Sequence, residues 1–564
     1  MRLLSLFALF LLLSCQNELP KAELLIFNGP IYTVDSSQAQ VEALAVANGK
    51  IIALGSWNDL QKYQSPNTKL LDLKGNTLIP AFIESHAHIL GLGQFKRELD
   101  LSQVKSYEEL IQLVQEQAEK TPKGEWILGR AWHQSKWDSL PFSIKGYQTH
   151  DALSQAVPDH PVLLMHASAH ALMANEKAMQ LASLTPETTM NEEGEIIRFP
   201  NGRPTGIFTE NAMSIIKEAL PPANENSRYQ DLQAGIQEAL SYGIGSLQDA
   251  GSDSAAIALY RKALAQNELP LRLWVMLAYN NYAADVQGQE DPFLEKWLEK
   301  GPEKGDFLSI AGIKLYADGA LGSRGAWMLE EYSDRAGHFG HPTLPLKTIE
   351  EIAQKALLAN FQLCTHAIGD RANQELLNIY ERVLKAHPQA AKDHRFRIEH
   401  AQHIAPQDIP RFAQLDVIAS VQGIHFSSDR PWAQSRLGRL RIAMGAYRWK
   451  QLLDSGAKLI NGTDAPVESI NPIACFYSLV SRQANDGQVY EADQKLSRLQ
   501  ALKAYTLDAA YGAFQEKEKG SLEVGKMADF AILSQDIMQV PLQNIPQTKV
   551  LQTIVAGTTV YLRE

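Results

Sequence analysis

The chain has 564 residues, of which 45% are hydrophobic and 21% are charged, and its formal net charge is -11. This balance is typical of a globular protein with room for more than one domain, and it argues against a disordered chain. The acidic excess contains no long run of one sign, which argues against nucleic acid or an anionic membrane surface as a partner. Three cysteines are too few for a disulfide scaffold or a cysteine-rich zinc site.

The first fifteen residues have the pattern of a signal peptide. Arg2 precedes the apolar run Leu3 to Leu13, which is too short to cross a bilayer as a helix. Residues 12–15, Leu-Leu-Ser-Cys, resemble the lipobox of bacterial lipoproteins, in which cleavage before the cysteine leaves a thiol that carries lipid. We therefore predict a lipoprotein signal peptide over residues 1–15. Cys15 would anchor an exported chain to a bacterial membrane, facing the periplasm, with an ordinary secretory signal as the alternative.

The two ends of the remaining chain are rich in β-strand signals. Apolar, β-branched segments at residues 24–34, 43–54 and 70–79 are interrupted by Asn28-Gly29, Asn48-Gly49 and Gly75-Asn76. Asn-Gly between such segments is a strong hairpin signal. The last fifty residues have the same texture, so residues 22–79 and 517–564 predict one small β-sandwich built from both termini.

Between these ends, short apolar strands alternate with amphipathic helices, the pattern that favours parallel βαβ units. Helices are predicted at residues 349–360 and 371–386, where apolar residues recur at three- and four-residue spacing. Strands are predicted at residues 79–85, 245–248, 272–277, 309–316, 361–365, 395–399, 417–421 and 458–461. Eight such strands predict an α/β fold of the (β/α)₈ TIM-barrel type over residues 80–516.

The first two predicted barrel strands are separated by about 150 residues, whereas barrel loops usually have about 2 to 6. The sequence therefore predicts a large insertion after barrel strand 1, from about residue 95 to 241, with its own structure. Its strands are predicted at residues 126–132 and 162–166, and a turn is predicted at residues 202–206.

Polar side chains follow four of the predicted barrel strands directly. His86 and His88 follow the first strand, and His366, His400 and Asp464 each follow another. Alternate residues of extended backbone point to the same side, so two imidazoles spaced as His-x-His can reach one ion. Active sites of barrels collect at the carboxyl-terminal ends of the strands. A single histidine there is more often a core residue, but four histidines and an aspartate at strand ends indicate a metal site. Nitrogen and carboxylate ligands without thiolates suit Zn²⁺, with Mn²⁺, Fe²⁺ or Co²⁺ chemically possible.

Five segments of the chain together resemble the motifs of amidohydrolase family 3, a branch that includes N-substituted formamide deformylases. They occur in the expected order, and the resemblance covers nearly everything after Ala22. The segments are Pro80 to His88, Ile313 to Ala326, Thr365 to Arg371, Arg397 to Gln402 and Asn461 to Val467.

The resemblance implies a ligand set for two divalent ions, zinc being the expected metal. His86, His88 and Asp464 would hold one ion, and His366 and His400 would hold the second. Lys314 would bridge both ions as a carbamate derived from CO₂. Carbamylation replaces an ammonium, which repels cations, by a carboxylate able to span ions roughly 3.5 to 4 Å apart. An ordinary lysine at this position would be an unpaired ammonium inside the apolar run 310–316, which is costly.

Four further positions concern the surroundings of the implied ligands. The family commonly has Gly and Asp where this chain has Ala81 and Glu84, so the detail around the ligands could differ. His170 and Arg324 are expected to contact substrate, although a structural role for His170 is an equal alternative.

The resemblance and the ligand set predict hydrolysis of a non-peptide C–N bond in a small amide, formamide or cyclic amide. A metal-bound hydroxide would be the nucleophile, and Asp464 would be the catalytic base that passes a proton to the departing nitrogen. A ring deaminase of the same superfamily and a lipid-anchored, non-catalytic binding protein are the alternatives. The sequence does not specify the substrate, the native metal or the oligomeric state. A homo-oligomer is one of the states that it allows.

Overall fold

The structure is a computed structural model that describes residues 19–564, apart from residues 140, 169, 186–187, 190–193, 223 and 280–291. Cys15 and the predicted signal peptide lie outside the described residues. The chain divides into two compact units, one of Met1–His88 with Ile236–Glu564 and the other of Ile89–Gly235. No helix in the described part of the chain is long and apolar enough to cross a membrane.

The strands are numbered in chain order. They are β1 (Leu24–Tyr32), β2 (Gln40–Ala47), β3 (Lys50–Gly55), β4 (Lys69–Asp72), β5 (Thr77–Pro80), β6 (Phe82–Ala87), β7 (Leu99–Asp100), β8 (Ile127–Trp132), β9 (Ser143–Ile144), β10 (Tyr147–Gln148), β11 (Val162–His166), β12 (Ala171–Ala174), β13 (Gly194–Arg198), β14 (Pro204–Glu210), β15 (Ile244–Ser252), β16 (Arg272–Ala278), β17 (Leu308–Tyr316), β18 (Gln362–Ala367), β19 (Arg397–His400), β20 (Ile418–Gln422), β21 (Leu459–Gly462), β22 (Phe530–Leu533), β23 (Val550–Val555) and β24 (Thr558–Leu562).

The α-helices are numbered in the same way. They are α1 (Trp57–Leu60), α2 (Ile89–Arg97), α3 (Tyr107–Ala118), α4 (Asp151–Ala156), α5 (Glu176–Leu181), α6 (Met213–Lys217), α7 (Glu225–Ser241), α8 (Ser254–Ala265), α9 (Pro292–Lys300), α10 (Leu346–Leu358), α11 (Asp370–Ala386), α12 (Ile409–Gln414), α13 (Gly423–Gly445), α14 (Trp449–Asp454), α15 (Pro472–Ser481), α16 (Arg498–Ala504) and α17 (Leu507–Gly512).

Strands from both ends of the chain form one sheet. Its order is β24-β23-β22-β5-β1-β2-β3, and β4 pairs with β1. Successive residues of a strand point to opposite faces, and Leu25 and Ile26 accordingly enter two different apolar clusters. The turn between β2 and β3 has φ of 51° at Asn48 and 70° at Gly49, the left-handed conformation that Asn-Gly hairpin turns adopt. Both ends of the chain therefore contribute strands to one sheet, and their packing as a sandwich stays a prediction.

The barrel is a second sheet of eight parallel strands, in the order β21-β20-β19-β18-β17-β16-β15-β6. Two backbone hydrogen bonds connect the segment after β21 to the first strand. Asp464 N donates to His86 O, and His88 N donates to Ala465 O, each at 2.7 Å. The predicted (β/α)₈ fold is confirmed.

The first barrel strand begins later than the predicted range 79–85. The chain forms β5 up to Pro80, which pairs with Phe530 in the terminal sheet, and starts β6 at Phe82. Between them, Ala81 N donates to Asp529 O at 3.0 Å. Proline has no backbone N–H to donate to a ladder, so the strand changes sheets at this point. Because the residues before and after Ala81 are all buried, the hydrophobic pattern does not reveal the change of sheet.

The unit Ile89–Gly235 has a sheet and a core of its own. The sheet has six strands, in the order β13-β14-β12-β11-β8-β7, and includes β8 and β11 where strands were predicted. Leu110, Trp132, Leu164 and Ile207 are fully buried members of its apolar core. The insertion after barrel strand 1 is therefore a folded unit.

Lys519 is a buried lysine that contacts barrel strand β15. Its Nζ donates to Ser246 Oγ at 2.8 Å. Burial, together with the nearby Arg272, lowers the pKa of Lys519 to about 7, from an ordinary value of 10.5. In the unfolded chain this lysine regains the ordinary pKa, so the two states bind different numbers of protons between these pH values.

We expect this lysine to make unfolding pH-dependent. Between these pH values the lysine carries a proton in the unfolded chain more often than in the folded one. Its contribution to the free energy of unfolding should therefore be fully present above about pH 10.5 and should be lost as the pH falls to about 7. Inside this window the free energy of unfolding should rise by up to about 1.4 kcal/mol per pH unit. Urea unfolding of the wild type and of Lys519→Met at several pH values measures the difference. Parallel curves for the two proteins would contradict the lowered pKa.

Candidate metal centre

Six side chains predicted from the sequence lie at the carboxyl-terminal ends of barrel strands. His86 is in β6 and His88 follows it, while Lys314 is near the end of β17. His366 and His400 lie in neighbouring strands, with Ala367 in register with His400. Asp464 follows β21, where its backbone N–H bonds to His86 O. Because parallel strands end at the same rim, the fold brings residues from five strands together.

The donor atoms of these side chains are close to one another. The ligand atoms of His86, His400 and Asp464 all lie within 4.8 Å of each other. Asp464 Oδ1 is 3.3 Å from His88 Nε2 and 3.6 Å from His86 Nε2. Lys314 Nζ is 3.1 Å from His86 Nε2, and the rings of His366 and His400 have centroids 4.4 Å apart.

The cluster fits divalent metal ions. His366 Nε2 is buried and has no hydrogen-bond partner among the described residues, although buried polar atoms are normally satisfied. The nearby Asp318 carboxylate instead accepts from the backbone N–H groups of Ile368 and Gly369. Nitrogen and carboxylate donors in this number suit Zn²⁺ or a related divalent ion.

Protonation states in the cluster also suit metal binding, which needs neutral imidazoles and ionised carboxylates. Burial, together with Lys314, lowers the pKa of His86 to about 4. Burial and the neighbouring His366 hold the pKa of His400 well below its ordinary value. Burial disfavours the charged form of Asp464, but His88 and His86 outweigh it and hold the carboxyl pKa well below its usual range.

Buried partners orient two of the histidines. Glu399 Oε2 accepts from His86 Nδ1 at 2.5 Å, and Arg397 Nε donates to Glu399 Oε1 at 2.6 Å. Gln422 Oε1 accepts from His400 Nδ1 at 2.7 Å. These bonds use Nδ1 of each ring, so Nε2 carries the lone pair that faces the cluster.

We expect Glu399→Gln to weaken metal binding about 10- to 100-fold, because the amide is a weaker acceptor for His86 and leaves its ring less firmly oriented. Competition between the protein and a zinc chelator measures the affinity. Glu350→Gln is the matched control, since Glu350 also pairs with an arginine, Arg382, but at an exposed site. Equal zinc affinity in Glu399→Gln and the wild type would contradict the orienting role.

Glu84 ties the first strand to the segment after the last one. Its Oε1 accepts from His86 N at 3.0 Å and from Thr463 N at 2.8 Å. Burial raises the pKa of Glu84 to about 8. A Cβ at Gly462 would lie 2.4 Å from the same oxygen, so this position has no room for a side chain. Glu84 stands where the family commonly has Asp, and this longer acid makes two backbone contacts beside the candidate ligand His86.

A cavity of about 440 Å³ opens above the cluster. Tyr316, Leu321 and Trp432 contribute apolar surface, and His425 contributes an imidazole whose Nε2 lies 3.9 Å from Asp464 Oδ2. His425 is not among the site residues predicted from the sequence. The sequence contains a signal that could have identified His425, because this histidine also follows a predicted strand, residues 417–421, by four residues.

The two predicted substrate contacts have partners of their own. Arg324 forms a two-pronged ion pair with Asp334, with Nε–Oδ1 and Nη2–Oδ2 distances of 3.0 and 2.9 Å. His170 lies in the unit Ile89–Gly235, where its exposed ring is 3.0 Å from Glu210 Oε2. Their roles towards substrate stay predictions.

A parallel eight-stranded barrel with imidazole and carboxylate donors gathered at its carboxyl-terminal rim is an arrangement typical of metal-dependent enzymes. A family model described as "Amidohydrolase family" matches residues 69–561. The chain belongs to this family and is a hydrolase.

The chain is also similar to individual proteins over most of its length. The protein LONG AFTER FAR-RED 3 of Arabidopsis thaliana is 30% identical over 554 residues, which cover 96% of this chain and 92% of that protein. The N-substituted formamide deformylase of Arthrobacter pascens is 24% identical, covering 96% of this chain and 98% of its own. The crystal structure of an uncharacterized metal-dependent hydrolase from Pyrococcus furiosus aligns with a TM-score of 0.74 at 27% identity, covering 92% of this chain and 100% of that one.

Proposed function

We propose that this hydrolase cleaves a non-peptide C–N bond in a small amide, formamide or cyclic amide. The observation that carries the proposal is the position of Asp464. Asp464 lines the cavity, with Oδ1 3.3 Å from His88 Nε2 and Oδ2 3.9 Å from His425 Nε2. The similarity to an N-substituted formamide deformylase supports the same class of bond.

The metal ligands are assigned as the family resemblance implies. His86, His88 and Asp464 would hold one ion, and His366 and His400 would hold a second. Lys314 would bridge the two as a carbamate, formed when its neutral amine adds CO₂ and loses a proton. Lys314 is buried and has no carboxylate within 4 Å among the described residues, which supports a modified side chain. When bound, divalent ions supply Lewis acidity that polarises a carbonyl and lowers the pKa of water.

Asp464 would act as the proton shuttle. Its ionised carboxylate takes a proton from the attacking water as the water oxygen bonds to the carbonyl carbon. The same carboxyl then gives the proton to the departing nitrogen as the C–N bond breaks. The products are an amine and a carboxylate, and the aspartate returns to its ionised state.

A substrate screen tests this proposal. The zinc-loaded protein is incubated with N-formyl amines, hydantoins and acyl amides, and the products are identified by mass spectrometry. We expect an amine plus a carboxylate, with activity lost on chelation and regained on adding zinc and bicarbonate. Free ammonia from an amino-substituted ring would favour a deaminase instead. Fresh protein without metal, and no gain on adding zinc and bicarbonate, would favour a binding protein.

We also propose that the chain is exported and anchored to a membrane by lipid on Cys15. The proposal rests on the apolar run Leu3 to Leu13 and the Leu-Leu-Ser-Cys sequence that ends it. Expression of the full chain in bacteria supplied with labelled palmitate tests the anchor. Label and membrane association should both disappear in Cys15→Ser, and a membrane-bound Cys15→Ser variant would contradict the proposal.

A further inference from the structure

One wall of the cavity carries hydrogen-bond acceptors that the proposed reaction does not use. Gln402, Asp429 and Glu468 line it, and we call these three residues the acceptor wall. Among the residues that line the cavity, Lys314 is the one lysine and arginine is absent. Lys314 Nζ is directed at His86 Nε2 in the donor cluster. The acceptor wall therefore presents negative charge to whatever enters the cavity.

Gln402 is oriented so that its carbonyl oxygen is free. The residue is 4% exposed, and its Nε2 donates to Asp429 Oδ2 at 2.9 Å and to Tyr447 Oη at 2.8 Å. An ionised carboxylate only accepts hydrogen bonds, so the amide nitrogen must be the atom that faces Asp429. This leaves Oε1, which accepts no hydrogen bond from any described residue. Gln402 lines the cavity, so this free acceptor is available to a donor group of a ligand.

The hydrogen-bond partners of Asp429 among the described residues are neutral, and all of them contact the same carboxylate oxygen. Gln402 Nε2 and Tyr447 Oη both donate to Oδ2, the latter at 3.0 Å. In the described part of the chain, neither a lysine nor an arginine pairs with this carboxylate within 4 Å. Burial raises the pKa of Asp429, and the charge of Glu468 adds to the rise, whereas His425 and Tyr447 oppose it. A carboxylate in this position is stabilised when a cation binds.

Glu468 extends the acceptor wall. It is half-buried, lines the cavity, and forms neither a hydrogen bond nor an ion pair with the described residues. The charge of Glu468 raises the pKa of Asp429, and a cation bound beside both carboxylates would offset this repulsion. Trp432 and Leu321 provide apolar surface in the same cavity for the carbon skeleton of a small molecule.

We propose that the substrate carries a cationic nitrogen group, such as a primary ammonium, which Gln402, Asp429 and Glu468 bind while the scissile amide lies at the donor cluster. The substrate class is thus an amide or formamide with a second, basic nitrogen, for example a mono-acylated diamine. This inference deepens the proposed function and rests on it for the position of the scissile bond. The three acceptors act as specificity determinants and take no part in bond cleavage.

A matched pair of probes tests the inference. N-formyl-4-(aminomethyl)benzylamine has the ammonium, and N-formyl-4-methylbenzylamine lacks it. The corresponding methanesulfonamides resist hydrolysis, so that isothermal titration calorimetry with the zinc-loaded protein measures binding without turnover. We expect the cationic sulfonamide to bind at least about tenfold more tightly than the neutral one, as charge-assisted hydrogen bonds allow. The kcat/KM values of the two formamides should differ in the same direction, mainly through KM.

Variants attribute the preference to the acceptor wall. In Glu468→Gln the ratio of the two binding constants should fall, and in the double variant with Asp429→Asn it should drop below about threefold. Glu299→Gln makes the same change of charge at an exposed position of α9 and should keep the wild-type ratio. Thermal unfolding of each variant verifies that it folds, and Glu468→Gln alone suffices if the buried Asp429 tolerates no change.

Equal binding of the two sulfonamides by the wild type, or a preference that survives in the variants, would overturn the inference. Failure of the proposed function gives a different result. If the protein hydrolyses neither formamide, amide cleavage is contradicted, while the sulfonamide ratio still decides whether the acceptor wall binds a cation. If both formamides are hydrolysed and the sulfonamides bind equally, the proposed function stands and the substrate class is wrong.

Discussion

Asp464→Asn should bind zinc and yet lose about 10²- to 10⁴-fold in kcat, the range in which a positioned proton carrier contributes to catalysis. Asparagine keeps an oxygen close to where Asp464 Oδ1 meets His88 and His86. It cannot accept the proton of the attacking water, because an amide oxygen is a very weak base. Zinc content by elemental analysis and kcat on the best substrate of the screen measure the two properties separately.

The control for this substitution is Asp454→Asn, which makes the same change at an exposed aspartate paired with Lys450. It should retain both zinc and turnover. An Asp464→Asn variant with near-normal kcat would remove Asp464 as the base. A variant that loses its zinc would show that the carboxylate is needed to bind the metal. The pH profile of kcat for the variant reloaded with zinc, compared with that of the wild type, would then test its role as the base.

Lys314→Ala should lower zinc content and reduce kcat/KM by on the order of 10³-fold, the equivalent of several kcal/mol of lost electrostatic stabilisation. The side chain is 1% exposed and its Nζ lies 3.1 Å from His86 Nε2, so it borders the donor cluster directly. If the bridging group is a carbamate, a short carboxylic acid such as propionate should enter the space left by the substitution. Partial recovery of zinc binding and activity with propionate is therefore expected.

Lys347→Ala, at a fully solvated position of α10, is the matched control and should behave as the wild type. Carbon-13 bicarbonate adds a direct readout, since the wild type should show a carbamate carbonyl signal that Lys314→Ala lacks. Full zinc content and activity in Lys314→Ala would contradict the bridging role. Loss of activity without a carbamate signal in the wild type would leave Lys314 as an unmodified lysine.

The barrel could be predicted from the sequence because its strands are short apolar segments separated by amphipathic helices. This periodicity is local, and it places a strand within a few residues of each observed one. The change of sheet at Ala81 was not predictable in the same way. Residues on both sides of it are buried, and the change depends on Asp529 O and Phe530, which are about 450 residues away in the chain.

The donors that follow the strands can be identified from the order of residues along the chain, and a parallel barrel must then gather them at one rim. How each donor is held, and which groups line the cavity, depends on contacts that form only in the folded chain. Glu399 orients His86 across 313 residues, and Gln402 faces Asp429 across 27. Pairings of this kind depend on side-chain directions at the ends of different strands and helices, and neither composition nor periodicity encodes those directions.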